Sequence, residues 1–137
     1  IKISDEDTLF FGADVADRYD EDLNDKVVYL VEGPIDSLFL PNCIAVVGVG
    51  FNKIDKMKFK KEQYRLIFDN EPRNKDVCKV MGRFVENDFD IVIWPDNIHE
   101  KDINDMVMNG RDPLKIVEEN HYSGLMAQLK FSQWRRS

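Results

Sequence analysis

Four short apolar runs, each followed within a few residues by glycine, proline or a carboxylate, constrain the fold of this chain more than any other feature. They are residues 26–31 (KVVYLV), 44–47 (IAVV), 64–68 (YRLIF) and 90–94 (DIVIW). Each is shorter than a typical helix and more continuous than a strand with one wet face, which would alternate apolar and polar residues. Parallel strands covered on both faces read this way. Between the third and fourth runs, Val77, Val80, Met81, Phe84 and Val85 stand at the i, i+3, i+4, i+7, i+8 spacing of one helical face, with Asn74 placed to cap it. A short helix is predicted over residues 35–40, with Ile35, Leu38 and Phe39 sharing a face behind a proline tolerated in the first turn. Further helices are predicted over 105–109, 114–120 and about 124–134, the last carrying Leu125, Met126 and Leu129. Strands alternating with helices predict an α/β fold, a doubly wound, mostly parallel sheet flanked by helices.

With 137 residues, the chain has the length of one domain. Its 43% apolar and 33% charged residues exclude a wholly disordered chain. No apolar run approaches the roughly 20 residues of a membrane-spanning helix. Asp and Glu number 26 against 19 Lys and Arg, a net charge of −7, so any contact with nucleic acid must be local. Cys43, Cys78, His99 and His121 lack zinc-ligand spacing, and no structural zinc is expected. The absence of a signal-peptide pattern favours a reducing cytoplasm. The acidic stretch Asp14, Asp17, Asp20, Glu21, Asp22 and Asp25 reads as a solvated turn. Lys53, Lys56, Lys58, Lys60 and Lys61, interleaved with Phe51, Met57 and Phe59, form either a solvated helix face or a local phosphate-facing patch.

In open parallel sheets, ligands bind beyond the carboxyl ends of the strands. Glu32, then Asp69 and Glu71, then Asp102 and Asp105 all follow predicted strands or lie in their loops, so three segments could bring carboxylates to one rim. Clustered carboxylates repel unless a cation neutralises them, and magnesium is the natural occupant because it takes one or two carboxylates and shares its other positions with water and phosphate. That pattern suits phosphoryl or nucleotidyl transfer. The same residues also have an ordinary use as helix caps and loop solvation.

The residues around these carboxylates carry a resemblance. The segment VEGPID at 31–36 resembles the glutamate motif of the Toprim domain, DNE at 69–71 its second acidic motif, and KDIND at 101–105 the third acidic motif of primase Toprim domains. At finer grain, residues 28–39, 69–73, 101–106 and 124–127 resemble, in order, the C-terminal half of the primases of T-even-type bacteriophages. The resemblance runs from Thr8 to Lys130. It implies one Toprim domain with a C-terminal helical tail over about 113–137, forming the C-terminal part of a longer primase and lacking that family's preceding zinc module.

The activity it implies is DNA-dependent synthesis of RNA primers by metal-assisted nucleotidyl transfer, in the host cytoplasm during phage replication. The implied partners are single-stranded DNA template, ribonucleoside triphosphates, the replicative helicase and single-stranded-DNA-binding protein. By the same resemblance, Glu32 is the catalytic glutamate, binding metal or accepting a proton. Asp69, Glu71, Asp102 and Asp105 hold Mg²⁺, for which Mn²⁺ can substitute, and Gly33, Arg73 and Lys101 meet nucleotide or phosphate. Glu71 departs from the superfamily's usual Asp, and Asn104 stands where bacterial primases often have a carboxylate. Phe131, Trp134, Arg135 and Arg136 are candidates for helicase docking, with a terminal helix packed on the sheet as the alternative for the aromatic pair. Two other functions stay open: a helicase-docking module inactive without the N-terminal part, and a Toprim-type nuclease.

Overall fold

The computed structural model describes residues 8–11, 26–48 and 59–136. The chain divides into two compact units, Ile1–Tyr64 and Arg65–Ser137. The acidic stretch 14–25 and the lysines from Lys53 to Lys58 lie outside the described residues.

In the first unit, β2 (Val28–Val31) is buried along its whole length, as its continuous apolar sequence requires. It pairs in parallel with β3 (Cys43–Gly48), in the register Tyr29↔Cys43 to Val31↔Ala45. On the other side of β3 lies β1 (Thr8–Phe11), antiparallel from Thr8↔Gly48 to Phe11↔Ala45. Nothing in the sequence pattern predicts β1, because its pairing is with residues far along the chain. The connection from β2 to β3 is a 3-10 turn, Asp36–Phe39, rather than an α-helix. The expected burial is reversed there: Ile35 and Leu38 are 59% and 70% exposed, whereas Asp36 and Ser37 are buried. One turn is too short for helical periodicity to select a face, and the Ser37 hydroxyl finds its partner inward, donating to the Pro34 carbonyl at 2.6 Å. Asn42, at φ 47°, turns the chain into β3 and accepts from the Tyr29 N–H, a left-handed position that Asn tolerates.

The second unit is built on β4 (Tyr64–Leu66), which begins at the unit boundary, and β5 (Asp90–Val92), paired in parallel with Leu66 opposite Ile91. Both strands are shorter than predicted, although Ile67, Phe68, Ile93 and Trp94 stay buried beyond them. Helix α1 (Lys75–Glu86) links the two, and the antiparallel β6 (His121–Tyr122), also unforeseen, pairs with β5. The remaining helices are α2 (Ile103–Met108), α3 (Pro113–Glu119) and α4 (Gly124–Arg135), which packs against α1.

Helix ends are set by local chemistry. Asn74 caps α1 by accepting from the N–H groups of Asp76 and Val77, and Asp112 caps α3 ahead of Pro113. At the other end of α1, Asp88 takes φ 62° while the Phe89 and Asp88 N–H groups donate to Phe84 and Val85 carbonyls. This is a Schellman ending, and its apolar contact is the Phe84–Phe89 ring pair at 5.1 Å.

Parallel strand pairs flanked by helices, with antiparallel strands beside them, make this an α/β protein as predicted. Both cysteines are free thiols. Among the described residues, no helix is long and apolar enough to cross a membrane.

Candidate functional site

In the second unit, the chain leaving β4 remains buried through Phe68 and then surfaces as the loop Asp69, Asn70, Glu71. The loop is fixed from below: the indole N–H of buried Trp94 donates to the Phe68 carbonyl at 2.9 Å. Within it, the Glu71 N–H donates to the Asp69 carbonyl, a tight turn that leaves both carboxylates half-buried at the end of the strand.

Asn70 ties this loop to the segment after β5. Its backbone N–H donates to the Lys101 carbonyl at 2.6 Å, and its side-chain amide donates to the carbonyls of Ile98 and Glu100 at 2.9 and 3.1 Å. Its amide oxygen accepts from the indole N–H of Trp134 on α4 at 2.9 Å. One carboxamide therefore joins the β4 loop, the β5 loop and the last helix. Periodicity and charge give an amide no weight, and the position of Asn70 between two motif carboxylates is its one signal in the sequence.

The consequence is that Lys101 reaches Glu71. Its Nζ lies 3.1 Å from Glu71 Oε1, while Asn74 donates to the other oxygen at 2.7 Å. These bonds, that from Asn74 first, hold the Glu71 carboxyl below its usual pKa. Reciprocally, the bond to Glu71 and the charges of Glu71, Asp69 and Asp102 hold the Lys101 ammonium above its own. Three of the predicted carboxylates therefore act on one point, already favourable to a cation. Asp102 also has a structural task, since it caps α2 by accepting from the Asp105 N–H at 2.9 Å.

Beside this cluster, Glu100 accepts from Arg111 at 2.8 Å and from Asn109 at 2.9 Å, fastening the loop to the far end of α2. The Arg111 bond and then the Asn109 bond push its carboxyl down to about 2.

The other predicted residues lie elsewhere. Asp105 is exposed in the first turn of α2, and Arg73 is exposed and lines a groove between α1 and α4. Phe131 and Trp134 are buried, their rings stacked at 6.2 Å, whereas Arg135 and Arg136 are exposed. On the same helix, Leu125, Met126 and Leu129 are the exposed apolar residues.

In the first unit, Glu32 is exposed immediately after β2. A Cβ on the neighbouring Gly33 would stand 2.8 Å from Asp36 Oδ2, so glycine there makes room for a buried carboxylate. That carboxylate adds to the effect of burial in raising the Cys43 thiol.

Among the described residues, no group of three or more His, Cys, Asp and Glu side chains is placed so that it could hold a metal ion. Magnesium does not require such a group, because it keeps several waters and binds through one or two carboxylates. Asp69 and Glu71, on one loop, are the hard oxygen donors that could supply such an ion with one or two carboxylates, and Glu71 is here engaged by Lys101 and Asn74.

Fold and site together define an α/β protein with a charged cluster in the loops beyond the carboxyl ends of parallel strands. The chain is similar to the DNA primase of Enterobacteria phage T4, with 36% identity over 121 residues, covering 85% of this chain and 35% of that primase. The chain spans about a third of the length of the curated relative it matches. No family model matches the chain.

Proposed function

We propose that the chain is the Toprim-like catalytic part of a phage DNA primase, which joins ribonucleoside triphosphates on a single-stranded DNA template. The observation that carries this reading is the similarity to the phage T4 primase across most of the chain. The charged cluster around Lys101 supports it.

In this reading, Asp69 and Glu71, with Asp102 beside Lys101, would hold Mg²⁺ directly or through water, and the ion would supply charge stabilisation at phosphate oxygens. Lys101, already drawn to carboxylates, is the point charge for a triphosphate. The attacking 3′-hydroxyl gives up its proton, a role that the glutamate-motif resemblance assigns, together with metal binding, to Glu32. The 3′-oxygen of one nucleotide forms a bond to the α-phosphorus of the next, the α–β bridging bond breaks, and pyrophosphate leaves. The partners of this activity are the template strand, the nucleotides, the replicative helicase and single-stranded-DNA-binding protein.

Mn²⁺ binding followed by water-proton relaxation tests the metal assignment directly. The native chain is expected to bind Mn²⁺, and Asp69→Asn to bind it at least about tenfold more weakly, the size of effect seen when ligand-shell groups are lost. Equal binding by a folded Asp69→Asn variant refutes the assignment.

A further inference from the structure

Although the chain is acidic overall, its second unit contains a groove of about 820 Å³ where positive charge collects. Arg73, Lys75, Lys79 and Arg83 from the α1 side and Arg135 from α4 line it, with Glu86 the one carboxylate among the lining residues. Lys75, Lys79 and Arg83 follow at i, i+4, i+8 and form one row along α1. Successive charges in that row are spaced by about 6 Å along the helix axis.

The floor of the groove is built to hold the two sides together. A Cβ at Gly82 would stand 3.4 Å from the Phe131 ring, so glycine lets that ring seat closely against α1. The Arg135 guanidinium lies over the same ring, 5.3 Å from its centroid. Lys75 and Lys79 make no ion pair among the described residues, and like charges along a shared wall destabilise each other. The arrangement is favourable when a polyanion with regularly repeated charge lies in the groove.

We infer that the α1–α4 groove binds the phosphate backbone of a single nucleic-acid strand. The inference rests on the reading that the chain works on nucleic acid, and extends it to a surface distinct from the carboxylate cluster. Phe131 is only 7% exposed and stacked on Trp134, so it offers bases no platform. Binding is therefore by phosphate alone and indifferent to sequence.

The test is fluorescence anisotropy of a labelled 12-nucleotide oligothymidylate, with native chain, the double variant Lys79→Gln/Arg83→Gln, and Lys115→Glu as a control of equal charge change on α3. With five contacts at about −0.7 each, native log K against log salt should have a slope near −3.5, an affinity loss of about 10² between 50 and 200 mM salt. The double variant should lower the slope by about 1.4, whereas Lys115→Glu leaves it unchanged. Oligoadenylate should bind like oligothymidylate.

A folded double variant with native affinity and slope overturns the groove, as does a native chain that binds no oligonucleotide. Equally tight, variant-sensitive binding of poly-glutamate also overturns it, and makes the groove an acidic-peptide site. Mn²⁺ binding on the same preparation separates these failures from failure of the catalytic reading.

Discussion

Asn70 is the residue on which the geometry of the charged cluster depends, and Asn70→Ala is the perturbation that exposes this. The substitution removes two donor bonds, to Ile98 and Glu100 carbonyls, and the acceptor for Trp134. At a net value of about 1 kcal/mol for each neutral bond, the loss is about 3 kcal/mol. The Trp134 indole contributes the full value, because at 5% exposure its N–H has little water to turn to. Trp134→Phe removes only the donor of that one bond and should cost about 1 kcal/mol beyond its packing change.

Urea unfolding followed by far-ultraviolet circular dichroism, a signal common to all the variants, measures each of them. The double-mutant cycle should return a coupling of about 1 kcal/mol between Asn70 and Trp134. A loss below about 1 kcal/mol for Asn70→Ala, or strict additivity with Trp134→Phe, would refute the view that one carboxamide joins the three segments.

Two further perturbations probe the same unit. Asp88 holds a left-handed position at the end of α1, where glycine bears no Cβ penalty, so Asp88→Gly should raise stability by about 0.5–1 kcal/mol in urea unfolding. Loss of stability there would contradict the Schellman assignment. The carboxyl of Glu100, pushed down to about 2 by Arg111 and Asn109, binds protons more readily when unfolded than when folded. Its contribution is therefore fully present above the ordinary carboxylate range and is lost as pH falls towards 2. The unfolding midpoint of the native chain should fall more steeply than that of Glu100→Gln between pH 5 and pH 2; parallel profiles would remove Glu100 from the account.

Much of the local structure was legible before any coordinates. Val28–Val31 and Cys43–Gly48 are parallel strands whose continuous apolar sequence reflects burial along the strand, and α1 carries its core stripe at the helical period. Asn74 announces a helix start because its side chain acts within three residues of itself. The acidic loops after the strands were visible for the same reason: position after a strand is a local property.

What tertiary structure decided is everything that depends on residues distant in sequence. β1 and β6 exist through partners elsewhere in their units, and the turn after β2 exposes Ile35 and Leu38 and buries Asp36 against the expectation of an apolar face. Trp134 turned out to be a buried donor to Asn70, 64 positions away, and Arg73 to face the α1–α4 groove. Helical and strand periods encode which side of an element is dry. They carry no record of which carbonyl an amide will meet across the fold, or of which cations two packed helices will bring to one wall.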